Sequence, residues 1–319
     1  MRLAARVVGT LGAMLASLVF VVPDAGTSAV VGKQRLLTVL VSYGPRPFTR
    51  ASVTAAVNEA VAFIGRSSFG RVTMQPTTTP WLDGGTTEPS CGASADRMFA
   101  PLRASAEAAG YHPDAFDRVF YVVAGPNCGF HGIEFGDEVM IVREPDARLI
   151  VHELGHTFGL PHAGASAVCG TWCVTQEQGD LYSPMGIGFL DFSAYEKEQL
   201  GWIPRQPRVT RAGNYLVYST KPSAIARQAI VIQAPEGEYW LEQRPGRVAP
   251  GMIVRLVNPE TASRSFIAPT TLLLAPIKTG HPVITPGQTF RVPGEFSVKV
   301  AKLTKMPMRL NVSLSATLR

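Results

Sequence analysis

The stretch VHELGHTFGLPH, residues 151–162, places three of the chain's six histidines and one glutamate within eleven positions. Read as a helix, it sets His152 and His156 one turn apart on one face, so both imidazoles can aim at a single ion. Glu153 follows His152 about 100° further round. That direction suits proton transfer to a water beside the ion better than ligation, which is the chemical sense of H-E-x-x-H. A catalytic zinc takes a third protein ligand and keeps its fourth position for water. His162 lies six residues past His156. On an uninterrupted helix it would be rotated about 240° and displaced roughly 9 Å, facing away. Gly159 tolerates the left-handed conformation that ends helices, and Pro161 cannot continue one and drives Leu160 towards extended geometry. The helix is therefore expected to stop where a reversal returns His162 to the ion. His152, His156 and His162 are the expected metal ligands, and Glu153 is the expected catalytic base.

This ligand set implies a reaction. Three neutral imidazoles leave a dication's full charge to lower the pKa of its water to about 7. Glu153 then accepts a proton as the metal-activated water attacks a peptide carbonyl, and hands it to the leaving amine. A purely structural zinc is the alternative, but such sites are usually closed by a fourth Cys or His, and no cysteine lies inside the motif.

Upstream of the motif, strand-like and helix-like runs alternate. RLLTVLVSY (35–43) has strand length and apolar content. In the run after Pro47, Val53, Ala56, Val57, Ala60, Val61 and Ile64 recur at helical spacing. RVTMQP (71–76) reads as a strand and the Thr/Gly/Pro-rich segment after it as loop. Residues 95–110 read as a helix broken at Pro101, DRVFYVVAG (117–125) as a buried strand, and GFHGIEFG and EVMIVRE as two short strands. From about residue 206 no helical period is visible. Short apolar runs separated by Gly or Pro follow instead, from NYLVYST to RLNVSLSA. The expected fold is an α/β (α+β) catalytic domain, with a mixed twisted sheet and an active-site helix over residues 30–205. An all-β, sandwich-like domain follows over 206–319.

The N-terminus is set apart from both. MRLAAR is basic, sixteen apolar or small residues follow, and then PDAGTSA, the layout of a secretory signal over residues 1–29. Cleavage is expected after Ala29, or failing that after Ala25. The apolar run is short against the roughly 20 residues that span a bilayer, so no stable membrane anchor is expected once the leader is removed. Losing it removes Arg2, Arg6 and Asp24 and takes the net charge from +6 to +5. That excess is spread along the chain with no Lys/Arg run, so nucleic acid is not an expected partner. Cys91, Cys128, Cys169 and Cys173 all lie in the exported part, and an even number in an oxidising compartment suggests two disulfides. Three pairings are possible. Cys169–Cys173 as a local loop with Cys91–Cys128 is preferred, and free buried thiols are the alternative.

HELGHTFGLPH resembles the extended zinc motif of the metzincin metalloproteases, H-E-x-x-H-x-x-G-x-x-H. Those proteins carry a methionine turn beneath the metal, and LYSPMG (181–186) places Met185 twenty-three residues after His162. GDLYSPMG followed by EKEQLGWI looks like the gametolysin-type branch, whose methionine turn leads into a helix ending Leu-Gly-Trp. The resemblance covers roughly residues 35–204. It implies one catalytic Zn²⁺, a packing role for Met185, and a substrate strand laid against an edge formed by Gly132, Ile133, Glu134 and Phe135. The tyrosine that some metzincins carry two residues after the methionine is replaced by Ile187, and no cysteine precedes Cys91 to act as a latency switch. The combined expectation is a secreted, monomeric zinc endopeptidase acting on protein or peptide. A secreted binding or adhesion protein on a catalytically weak scaffold of the same kind is the alternative, and the intact Glu153 argues against it.

Overall fold

The computed structural model describes residues 29–125, 128–168, 175–218, 227–244, 251–257, 271–276, 282–301 and 308–315. Apart from Ala29, the expected leader lies outside these residues, as do Cys169 and Cys173.

The first half is built on a five-stranded sheet. Its inner strand β1 (Gly32–Ser42) turns Leu36 and Leu40 to one face and Leu37, Val39 and Val41 to the other, all fully buried. A strand covered on both faces reads as a continuous apolar run, which is why 35–43 lacks alternation. Helix α1 (Arg50–Ser67) starts at Thr49, whose side chain accepts from Ser52 N, and buries the Val53–Ile64 stripe on the Leu36 face. Strand β2 (Val72–Asp83) pairs parallel with β1 and runs past Pro76 through a segment expected to be loop. Its prolines, Pro76 and Pro80, are tolerated because β2 is the outer strand, where a missing N–H breaks no ladder.

Helix α2 (Ala95–Ala108) continues through Pro101, where a break was expected. Its buried Met98, Phe99, Leu102 and Ala106 pack on the Leu37 face, and that packing outweighs the loss of one backbone bond, a cost of about 3 kcal/mol. β3 (Arg118–Ala124), β4 (Gly132–Phe135) and β5 (Glu138–Ile141) complete the sheet in the order β2-β1-β3-β5-β4, parallel except for the outer strand β4, which is antiparallel to β5. Cys91 and Cys128 form a disulfide joining the loops before α2 and before β4. Helix α3 (Ala147–Thr157) carries the H-E-x-x-H segment, capped by Asp146 through Leu149 N.

After α3 come β6 (Ala163–Val168), β7 (Thr175–Gln176) and α4 (Ala194–Gln199). The expected apolar runs of the last third form strands β8 (Gly213–Val217), β9 (Ala229–Ala234), β10 (Gly237–Arg244), β11 (Gly251–Val257), β12 (Thr271–Pro276), β14 (Thr289–Val292), β15 (Phe296–Val300) and β16 (Met308–Leu314), and a short β13 (Val283–Ile284) joins them outside any expected run. They make two sheets. One runs β14-β15-β16-β8; the other runs β7-β6-β12-β11-β10-β9, with β13 beside β11. Ile230, Ile232, Leu241, Met252 and Val254 of the larger sheet pack against Val298, Val300, Leu310 and Val312 of the smaller. The larger sheet's opposite face sets Val231, Trp240 and Val257 against Ala194 and Ile203.

Strands β6 and β7 precede residue 205, yet they lie in the sheet of β9–β12, with β6 parallel to β12 from Ala163↔Thr271 to Val168↔Pro276. The segment that follows the H-E-x-x-H helix and the β-rich tail are therefore joined by backbone hydrogen bonds across residue 205. No described helix is long and apolar enough to cross a membrane.

Candidate metal centre

Helix α3 ends as its sequence requires. Gly159 has φ +86°, and a Schellman turn closes with Leu160 N donating to Gly155 O at 3.0 Å and Gly159 N to His156 O at 2.7 Å. The reversal brings His162 back to the helix face. The ligand nitrogens of His152, His156 and His162 all lie within 4.8 Å of one another, so these three residues could hold one metal ion.

Each ring is oriented through its Nδ1. His152 Nδ1 is 2.8 Å from Pro184 O, His156 Nδ1 is 2.8 Å from Leu160 O, and His162 Nδ1 is 2.5 Å from Glu177 Oε1. Carbonyls and carboxylates accept and do not donate, so each Nδ1 carries a proton and leaves Nε2 as the nitrogen that can ligate. His152 Nε2 and His156 Nε2 stand 3.1 Å apart. Two lone pairs at that distance repel unless a cation lies beside both. Burial, opposed by the Pro184 carbonyl and aided by His162, lowers His152 to about 4. Burial with the two neighbouring imidazoles lowers His156 to about 3. Both rings are thus neutral at physiological pH, the form in which imidazole ligates metal.

Glu153 is buried at 4 % exposure on the adjoining flank. Burial first and Glu134 second push its carboxyl up to about 8; a cation among the imidazoles acts in the opposite sense. Strand β4 presses directly on it: a Cβ on Gly132 would stand 2.3 Å from Glu153 Oε1. Glu153, Gly132, Glu134, Arg143, Leu149 and Gln178 share with the three histidines the lining of a cavity of about 800 Å³.

The expected edge residues Gly132, Ile133, Glu134 and Phe135 form β4, which is the sheet's free edge and lies beside α3. Val142 N donates to His131 O, making that pair hydrogen-bonded. By the alternation of an antiparallel ladder Ile133 then bonds Met140, and the backbone groups of Gly132 and Glu134 point off the sheet.

Met185 is fully buried beneath α3, against Gly155, where an added Cβ would meet its Sδ at 2.1 Å. Its turn holds two ligands in place: Pro184 O receives His152 Nδ1, and Met185 O receives the N–H of Ala163, next to His162. The turn is itself anchored. Asp180 Oδ1 accepts from Tyr182 N and Ser183 N, and the Ser183 hydroxyl donates to the Glu196 carboxylate at 2.7 Å and bonds Met185 N. Asp180 is also paired at 2.7 Å with the fully buried Arg255 of β11, which bonds Glu242 of β10 at 2.9 Å. Sequence reading missed Glu177, Gln178, Asp180 and Arg255. The last two are seventy-five positions apart, and no local pattern announces such a pair.

No known family model matches this sequence, and neither does that of any curated protein. Among solved structures, a chaperone–substrate complex is similar over 61 % of this chain and 30 % of its own, at 15 % identity and a TM-score of 0.35. Metalloproteinase-II from Bacteroides fragilis is similar over 54 % of this chain and 53 % of its own, at 15 % identity and a TM-score of 0.34. The chain therefore spans under a third of the first and about half of the second. Likeness this slight leaves function to be argued from the site's own geometry.

Proposed function

We propose that this chain is a secreted, monomeric zinc endopeptidase of the metzincin kind, cleaving protein or peptide substrates. One observation carries the reading: three half-buried imidazoles bring their ring nitrogens within 4.8 Å of one another with every Nδ1 already used, a set of electron-pair donors that suits a cation. His152, His156 and His162 would hold it. When bound, Zn²⁺ supplies Lewis acidity that activates water near neutral pH and polarises the scissile carbonyl.

The chain's own groups do the rest. Glu153, held against Gly132, removes a proton from the attacking water and delivers it to the departing amine. The outward backbone groups of Gly132 and Glu134 hold an extended substrate by strand addition. Met185 packs under the ligands and touches no substrate. The disulfide between Cys91 and Cys128 suits an oxidising compartment, which agrees with export.

Casein hydrolysis is the test. Activity should vanish with a strong chelator, return with stoichiometric Zn²⁺, and fall by several orders of magnitude in Glu153→Gln while zinc content stays at one per chain. Equal rates for wild type and Glu153→Gln would reject the reading.

A further inference from the structure

Two of the three rings are oriented by backbone carbonyls and one by a charged side chain, Glu177. We infer that Glu177 is the positioning residue of the third ligand. It holds His162 in the metal-ready tautomer and adds a negative charge behind it. The inference rests on the proposed metal site and deepens it.

The placement follows from the register of one small hairpin. His162 immediately precedes β6 and Glu177 immediately follows β7; the ladder pairs Ala165 with Gln176 and Ser166 with Thr175. Continued outward, it sets Glu177 and Gln178 opposite Gly164 and Ala163, beside His162. Gly179, past the end of β7, sits in a space no side chain would fit, since its Cβ would meet both Ala165 Cβ and Gln176 Cβ at 2.8 Å. Asp180 N then bonds Ala163 O. The hairpin is in turn held parallel to β12, so the β-rich part of the chain supports this pair.

The geometry at the ring agrees. Glu177 Oε1 lies 2.5 Å from Nδ1, and Gln178 Nε2 lies 3.0 Å from Nε2. A carboxylate accepting from a ligating histidine fixes its tautomer and raises its basicity, and removing such a partner weakens metal binding about 10–100-fold. The other two rings have only neutral carbonyls, so in this site the charge effect falls on His162 alone.

The test compares the full mature chain with Glu177→Ala and Glu177→Gln, using Zn²⁺ competed against a chromophoric chelator and the visible absorption of the Co²⁺-loaded protein. Glu177→Ala should bind Zn²⁺ about 10–100-fold more weakly and shift the Co²⁺ bands. Glu177→Gln, which keeps an acceptor oxygen without the charge, should recover part of the affinity. At saturating zinc, kcat should fall with KM unchanged. Zinc affinity within twofold of wild type in both variants, with unaltered Co²⁺ bands, would overturn the role of Glu177 while leaving the metal site standing. A wild-type chain that takes up no Zn²⁺ would overturn both. Loss of folding in Glu177→Ala would leave the decision to Glu177→Gln, whose unchanged affinity and spectrum would count against the charge.

Discussion

At Gly132 an added Cβ would stand 2.3 Å from Glu153 Oε1, and at Gly155 it would stand 2.1 Å from Met185 Sδ. Both glycines let a backbone approach a functional side chain more closely than any Cβ allows. Gly132→Ala should therefore swing the Glu153 carboxylate off its working position. A displacement of about 1 Å at a reacting group costs on the order of 100-fold in rate. We expect that loss in kcat/KM with zinc content intact; retained activity would show that the base has room to spare. Gly155→Ala overpacks the space between α3 and the methionine turn and should cost about 1–3 kcal/mol, measured as the free energy of unfolding in denaturant. The extended motif pointed to His152, Glu153, His156 and His162, because H-E-x-x-H sets two imidazoles one helical turn apart and Gly159 and Pro161 turn the chain back towards them. Neither glycine's role was legible, since the atoms they make way for come from elsewhere in the fold.

On the scale of elements, the end of α3 and the edge strand β4 decide the site. Gly159 at φ +86° begins the turn that returns His162. An alanine there would hold a left-handed conformation costing about 1–2 kcal/mol. Gly159→Ala should lower the thermal midpoint and weaken zinc binding together, whereas Gly65→Ala, a glycine in helix α1 without positive φ and with its nearest outside atom 4.0 Å from an added Cβ, should not. For β4 the outward N–H of Glu134 is the group to remove. Glu134→Pro deletes it, and Glu134→Ala controls for the side chain. One lost hydrogen bond of about 0.5–1.5 kcal/mol predicts a KM several-fold higher for the proline variant than for the alanine variant; equal KM values would argue against strand addition. The helix and its stop were readable because Gly159 and Pro161 act locally. The hairpin of β6 and β7 was not, because AGASAV has no apolar signature and becomes a strand only through its partner β12.

For the molecule as a whole, the Asp180–Arg255–Glu242 cluster ties the methionine turn to the β-rich sheet, with Arg255 and Asp180 wholly buried. Arg255→Met would strand two carboxylates in the interior and should cost about 3–5 kcal/mol, lowering the thermal midpoint and zinc affinity together. Burial alone would raise the Asp180 pKa, but the Arg255 charge and hydrogen bonds from Arg255, Ser183 and Tyr182 outweigh it and hold it below 3.8. An acid whose folded pKa is depressed adds stability that is present above its unfolded value and is lost as pH falls through the folded one. The stability gap between wild type and Asp180→Asn should therefore be full near neutrality and shrink as pH drops below about 4. Glu196 is raised by burial and further by the Asp180 charge, so the gap reports Asp180 together with its effect on Glu196. A gap independent of pH would mean that the pair adds nothing through its charge.

By itself the sequence determined the His-Glu motif and its helix, the alternating first half, the helix stop and the strand-forming runs of the last third. Each depends on residues within a few positions of one another, where helical and strand periods and the constraints of Gly and Pro operate. Only the tertiary structure decided that β6 and β7 leave the catalytic segment to join the later sheet, that α2 survives Pro101, and that Glu177 and Arg255 stand behind the site. Those outcomes come from pairing and burial between segments far apart in the chain, whose energies no local window contains.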